Sequence, residues 1–140
     1  MASDAVFADA SFFFAPAARR DAAHTAAVGQ FRRLLRKQRR IVTTDYVVDE
    51  ALTLTKARTN SAVAVALLDR IEQSEAIEVE MVSVARLALA KAFFRKHADH
   101  DYSFTDCTSF VVMRELKITE ALTTDGHFTE AGFRTLLPVA

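Results

Sequence analysis

The stretch Val6-Phe7-Ala8-Asp9-Ala10-Ser11 decides how this chain is read. Val6 to Ala10 is a short apolar run, the pattern of a strand buried on both faces, and a single carboxylate interrupts it. A charge has little reason to sit in such a run unless it faces an opening at the strand's end. A second run, Ala121-Leu122-Thr123-Thr124, ends the same way, at Asp125 before the turn residue Gly126. Ligands of parallel sheets bind beyond the carboxyl ends of the strands. Two strands that each deliver an acid to such an end therefore suggest a parallel sheet with a site along one edge.

Working outward, helices and strands alternate. Asp21 to Gln38 carries Val28, Phe31, Leu34 and Leu35 at helical spacing, with Arg36, Lys37, Arg39 and Arg40 crowding its favourable carboxyl end. Ile41-Val42-Thr43 reads as a second short strand, and Thr44 as the N-cap of a helix that turns Tyr46, Val47, Ala51, Leu52 and Leu54 inward. A further helix runs from Asn60 or Ser61 to about Gln73 and is apolar nearly all round, so it is either deeply buried or part of a partner surface. Ile77 to Val82 alternates as an edge strand does. Ser83 caps a helix with Leu87, Ala88, Ala90 and Phe94 inward, and after the polar loop His97–Tyr102 another helix runs from Ser103 to about Lys117. Leu136-Leu137-Pro138-Val139 is expected to be a last edge strand. Without repeats or a linker, residues 1–140 read as one α/β domain, a mainly parallel sheet covered on both faces.

This topology gathers four acids. The helix from Ser103 leads into the strand ending at Asp125 and so runs antiparallel to it, which brings Asp106 to the edge that holds Asp9 and Asp125. The helix starting at Thr44 begins at the same edge, and Glu50 lies about two turns into it. Four carboxylates meeting there repel one another and call for a divalent cation, and a carboxylate-only metal site on an α/β scaffold points to phosphodiester chemistry. Local readings compete with this one. Asp106 stands three residues after Ser103, a capping box that needs no metal. Asp125 suits a turn, and Glu50 suits a solvated helix position, although its neighbours Val47, Val48, Ala51 and Leu52 are apolar. Asp9 has the poorest local explanation.

Composition bounds the alternatives. The 140 residues carry 18 basic and 18 acidic side chains, so net charge gives no argument for nucleic-acid binding and any such surface must come from local clusters. The lone Cys107 excludes an internal disulfide and suits a reducing compartment. No apolar run approaches a membrane span, and the stretch Val6–Ala18 lacks the basic start of a signal peptide, so a cytoplasmic protein is expected. His24, His97, His100 and His127 show no metal-ligand spacing, though His127 lies near the acids and is a candidate substrate contact. The basic run Arg32–Arg40 invites an RNA-binding reading, but its helix points away from the acids. Arg19 and Arg20, in the loop after the first strand, are better placed to meet phosphates.

Five motifs follow in order: Phe7-Ala8-Asp9-Ala10-Ser11-Phe12, Val48-Asp49-Glu50-Ala51-Leu52, Ser103-Phe104-Thr105-Asp106-Cys107-Thr108-Ser109-Phe110, Leu122-Thr123-Thr124-Asp125-Gly126-His127-Phe128 and the closing Gly132-Phe133-x-x-Leu136. This ordered set resembles the PIN-domain ribonucleases, and within them the VapC toxins of toxin–antitoxin pairs. The resemblance implies a three-layer α/β/α sandwich and RNA cleavage dependent on Mg²⁺ or Mn²⁺. It implies catalytic, metal-binding acids at Asp9, Glu50, Asp106 and Asp125, with Ser11, Ser103 or Thr105 in support. It further implies a homodimer and a cognate antitoxin that covers the active site. Ala10 stands where many relatives carry Ser or Thr. The alternative within the same fold is a non-catalytic PIN-like module that binds RNA or protein. A receiver-type phosphoacceptor also puts acids and Mg²⁺ at a parallel edge, but it needs paired acids near the first strand's end and a late lysine that this chain does not offer.

Overall fold

The computed structural model describes residues 3–14 and 22–139. Its core is a five-stranded sheet in the order β3-β2-β1-β4-β5, with every adjacent pair parallel. The strands are β1 (Val6–Ala8), β2 (Ile41–Thr44), β3 (Ile77–Glu80), β4 (Glu120–Leu122) and β5 (Arg134–Thr135). Val6, Phe7, Ala8, Ile41, Val42, Ala121 and Leu122 are all buried, as expected for strands covered on both faces. Between them lie α1 (Ala10–Phe14), α2 (Ala22–Arg36), α3 (Asp45–Arg58), α4 (Ser61–Gln73), α5 (Val84–Lys96), α6 (Phe104–Glu115) and α7 (His127–Glu130). The chain moves outward from β1 to β3 and then returns across the sheet to β4. Right-handed crossovers in opposite directions put the two helix sets on opposite faces, which gives three layers, α/β/α.

Local sequence explains most boundaries. Thr44 Oγ1 accepts the Val47 N–H, Asn60 Oδ1 that of Val63 and Ser83 Oγ that of Arg86, so α3, α4 and α5 each begin at a side-chain cap. Gln38, with φ 54°, leaves the helical region just after α2 ends. Phe7, Phe110 and Phe128 are fully buried where β1, α6 and α7 meet, and Phe110 packs edge-on to Phe128 at 5.0 Å.

Several expected details differ. The last strand is Arg134–Thr135, paired with Glu120 and Ala121, and not Leu136–Val139. Leu136 N–H still reaches the Ala121 carbonyl, but Pro138 has no N–H with which to continue the ladder. On α5 the inward aromatic is Phe93, which packs on Phe110, whereas Phe94 is 45% exposed and Ala88 is also exposed. The edge strand's alternation does not map simply onto burial. Val79 is exposed, while Glu80 is half-buried and bonded to Arg86. The short helix α1 has no clear periodic signal. Asp21 lies outside the described residues.

Candidate metal centre

The sheet order makes β1 and β4 neighbours at the point where the chain's path reverses, with β2 and β3 to one side and β5 to the other. The crevice at such a switch point is where open α/β sheets bind ligands. Asp9 follows β1 directly, and Asp125 lies just beyond β4. Asp106 stands in the first turn of α6, and Glu50 projects from α3.

Asp9 is buried, and its Oδ2 accepts hydrogen bonds from Thr123 Oγ1 at 2.9 Å and Ser11 Oγ at 3.2 Å. These hydroxyls do double duty, because Ser11 Oγ accepts the Thr124 N–H and Thr123 Oγ1 accepts the Asp125 N–H. The acid after β1 is thus tied by two side chains to the backbone after β4. Asp106 fills its capping role and also meets His127. Ser103 Oγ accepts the Asp106 N–H, and Asp106 Oδ2 accepts the Ser103 N–H at 3.1 Å, a complete capping box. The same Oδ2 lies 3.2 Å from His127 Nδ1. Asp125 likewise fills its turn role, with Oδ1 accepting the His127 N–H at 2.8 Å, and that oxygen also stands 3.2 Å from His127 Nδ1.

The electrostatics tie Glu50 to the group. Burial lifts its carboxyl to about 7, with the charges of Asp9, Asp106, Asp125 and Asp49 adding to the rise. Burial pushes Asp9 up to about 6 against the hydrogen bonds from Thr123 and the Ala10 backbone, and Asp106 and Asp125 push the same way. Asp106 is raised by burial and by Asp125, with the Ser103 N–H and His127 opposing. Burial works against the His127 charge, but Asp125 and Asp106 outweigh it, so its pKa is raised. The site holds its acids close and resists their simultaneous ionisation. A divalent cation relieves that conflict, and the donor set fits one: Asp106, Asp125 and His127 each bring a ligand atom within 4.8 Å of the others.

Ser11 therefore stands within the hydrogen-bonded group and Ser103 caps the helix that presents Asp106. Thr105 accepts a bond at its carbonyl from Thr108, and its hydroxyl makes none to the acids among the described residues. Arg19 and Arg20 lie outside the described residues. Arg39 and Arg40 sit at the opposite edge, where they pair with Glu120 and Glu78. The sequence reading missed two members of the neighbourhood. Thr123 reads from sequence only as a strand residue, although a hydroxyl two positions before a strand-end acid is a usable signal. Tyr102, edge-on to His127 at 5.6 Å and stacked on His100 at 4.8 Å, closes a polar loop and carries no local signature. A cavity of about 930 Å³ lies elsewhere, between α1–α2 and α3–α4, lined by Phe12, Phe31, Val63 and Leu67 among others. Its size does not make it the reactive centre, because its lining among the described residues carries no acid.

Comparison with known proteins agrees with this geometry. The PIN domain profile matches residues 6–134. The chain is 35% identical over 134 residues to the 23S rRNA-specific endonuclease VapC20 of Mycobacterium tuberculosis, in strains CDC 1551 / Oshkosh and ATCC 25618 / H37Rv, covering 95% of this chain and 98% of that protein. The crystal structure of Mycobacterium tuberculosis VapC20, described as a Sarcin-Ricin loop cleaving toxin, superposes with a TM-score of 0.80 at 34% identity, over 92% of this chain and 96% of that one. FitAcB from Neisseria gonorrhoeae shares the fold, with a TM-score of 0.63 at 16% identity, over 95% of this chain and 97% of its own. A sheet whose switch point gathers these acids, matched along nearly its whole length, belongs to the PIN-domain family, among its VapC-type ribonucleases.

Proposed function

We propose that this protein is the endoribonuclease toxin of a toxin–antitoxin pair and that it cleaves RNA through Asp9, Glu50, Asp106 and Asp125. The observation that carries the reading is the convergence of these acids at the β1–β4 switch point, where Asp9 and Glu50 are held at about 6 and about 7. Divalent-metal dependence is general among PIN-domain nucleases, and Asp106, Asp125 and His127 are grouped closely enough to meet such an ion; Mg²⁺ or Mn²⁺ is the ion proposed. When bound, the ion supplies a more acidic water and charge compensation at the scissile phosphate. The chain's own residues do the positioning. Ser11 and Thr123 fix the Asp9 carboxylate, the Ser103 capping box fixes Asp106, and the Asp125–His127 turn sets the remaining acid beside them. Arg19 and Arg20 are the proposed substrate contacts.

The substrate to try first is ribosomal RNA, because the curated relatives are named as 23S rRNA-specific endonucleases and the solved one as cleaving the sarcin–ricin loop. For the partner, the apolar cavity and the exposed Val63 and Val65 of α4 support an antitoxin helix docked against α3 and α4, with a further segment extended toward Glu50 and Asp125. A basic side chain in that segment would compete with the metal for the carboxylates. Val79, Met81 and Val84, exposed around the end of edge strand β3, support a homodimer. No helix among the described residues is long and apolar enough to cross a membrane, and we place the protein in the cytoplasm, acting as a single domain.

The test is cleavage of 23S rRNA by the purified chain with Mg²⁺, with 5′ ends mapped by sequencing. Discrete ends that vanish with chelator and in Asp9→Ala support the reading. Metal-independent cleavage, or cleavage that survives Asp9→Ala, refutes it. Hydrogen exchange with the neighbouring gene product tests the antitoxin surface, and protection confined to regions away from 44–73 and the four acids would exclude it.

A further inference from the structure

We propose that His127 is itself a metal ligand, through Nδ1, and that the site is therefore a mixed nitrogen–oxygen centre that favours Mn²⁺ over Mg²⁺. The inference rests on the metal-site reading above and gives His127 a different role from substrate contact.

Distance is the first argument. Nδ1 stands 3.2 Å from Asp106 Oδ2 and 3.2 Å from Asp125 Oδ1. Adjacent ligands on an octahedral ion with bonds of about 2.1 Å are about 3 Å apart. The imidazole nitrogen and the two carboxylate oxygens are therefore spaced as neighbours on one ion, and all three atoms lie within 4.8 Å of one another. An imidazole meant to reach a phosphate would not need to point its nitrogen between two acids.

Preorganisation is the second argument. The His127 backbone N–H bonds Asp125 Oδ1 at 2.8 Å, so the turn that places Asp125 also sets the origin of the imidazole side chain. The buried Tyr102 ring meets His127 edge-on at 5.6 Å and restricts its rotation. Asp106 is held by its capping box, which fixes the second partner. A ring set by its own turn against two hydrogen-bonded acids has the character of a ligand held by supporting contacts.

Donor chemistry gives the consequence. Mg²⁺ takes oxygen ligands and tolerates nitrogen poorly, whereas imidazole affinity rises along the first transition row. A nitrogen in the shell separates the two ions that an all-carboxylate site would treat more alike.

The experiment is pulsed electron paramagnetic resonance of the full chain loaded with Mn²⁺, together with calorimetric titration of Mn²⁺ and Mg²⁺. Wild type should show ¹⁴N modulation that converts to ¹⁵N on labelling with ¹⁵N-histidine and disappears in His127→Ala. That variant should bind Mn²⁺ about tenfold more weakly or worse while its Mg²⁺ affinity changes less than about threefold. Asp125→Asn should weaken both ions. Mn²⁺ bound by the acids without ¹⁴N modulation in wild type overturns the nitrogen ligand and leaves the acid site standing. Absence of Mn²⁺ binding, or binding undiminished in Asp125→Asn, overturns the metal-site reading and this inference with it. The labelling measurement uses wild-type protein, so it decides the matter even where a variant folds poorly.

Discussion

The two edges of the sheet treat carboxylates in opposite ways. At the amino edge Glu120 meets Arg39 at 2.9 Å and Arg134 at 3.4 Å, Glu78 meets Arg40, and Arg39 also donates to the Asp4 carbonyl. Each of these two glutamates has a guanidinium within reach. At the carboxyl edge Asp9, Glu50, Asp106 and Asp125 face one another, and the cation among their described contacts is a histidine that is charged only when protonated. Folding alone has no use for the second arrangement, since like charges in a partly buried site lower stability. Charges that are paired at one edge and left uncompensated at the other distinguish an edge that holds the fold from an edge that is the candidate for binding a ligand.

The largest expected effect breaks the carboxyl edge outright. Asp9→Ala, Glu50→Ala, Asp106→Ala and Asp125→Ala should each lower RNA cleavage by about a thousandfold or more, in line with losing a preorganised group at a transition-state charge. In metal-free buffer the variants should unfold at the same or higher temperature, because each removes repulsion. Asp106→Ala is the exception, since its capping box is worth about 1 kcal/mol. Cleavage retained in full by two or more variants would dissolve the contrast between the edges.

The second effect is a stability that runs the unusual way with pH. Asp9 is raised from 3.8 to about 6 and Glu50 from 4.5 to about 7, so between about pH 4 and 7 the folded state binds more protons than the unfolded state. By linkage, stability contributed by these groups is greatest below pH 4 and falls as pH rises through 6 to 7. For the buried Asp9 the shift corresponds to about 3 kcal/mol. The raised pKa of His127 acts in the same direction. Urea unfolding in chelator at pH 5 and pH 8, on wild type and Asp9→Asn, isolates the term, and saturating metal at pH 8 should restore what was lost. A difference between the two proteins that grows toward low pH would contradict the assignment.

Much of this was legible because it was local. Asp9 and Asp125 announce themselves as acids closing apolar or β-branched runs, and Thr44, Ser83 and Ser103 cap the helices they were expected to cap. What failed depended on partners far away in the chain. The last strand falls at Arg134–Thr135 because β4 sets its register, not because of its own composition. Phe93 turns inward in place of Phe94 because Tyr102 and Phe110 lie on that side. Asp106 could not be assigned between cap and site from sequence, and its carboxylate both completes the capping box and stands 3.2 Å from His127. Thr123 joins the site through Asp9, 114 positions away, and no window of local pattern reports that.

A smaller effect concerns the substrate. Arg19 and Arg20 come ten and eleven positions after Asp9 in the sequence, whereas Arg39 and Arg40 are paired with Glu120 and Glu78 at the far edge. Replacing Arg19 and Arg20 by alanine should lower the slope of log affinity for RNA against log salt by about 1–2, and replacing Arg39 and Arg40 should leave it nearly unchanged. Filter binding over a salt series measures both slopes. A larger change for Arg39 and Arg40 would mean that RNA crosses to the amino edge.

The smallest effect tests that amino edge as a purely structural one. Arg39 and Glu120 have side chains only 19% exposed, and Arg39 Nε also bonds the Asp4 carbonyl just before β1. Arg39→Ala removes both contacts and leaves Glu120 with the more exposed Arg134. The loss should be about 1 kcal/mol, the upper part of the range for a partly screened pair. Arg40 is 57% exposed and its partner Glu78 51%, so side-chain entropy and solvent offset most of that attraction and Arg40→Ala should fall within about 0.5 kcal/mol of wild type. Urea midpoints give both values, and RNA cleavage under conditions where each variant is fully folded should match wild type. If folded Arg39→Ala cleaves poorly, the ion pair is coupled to the acids through β1 and β4, and the two edges do not act independently.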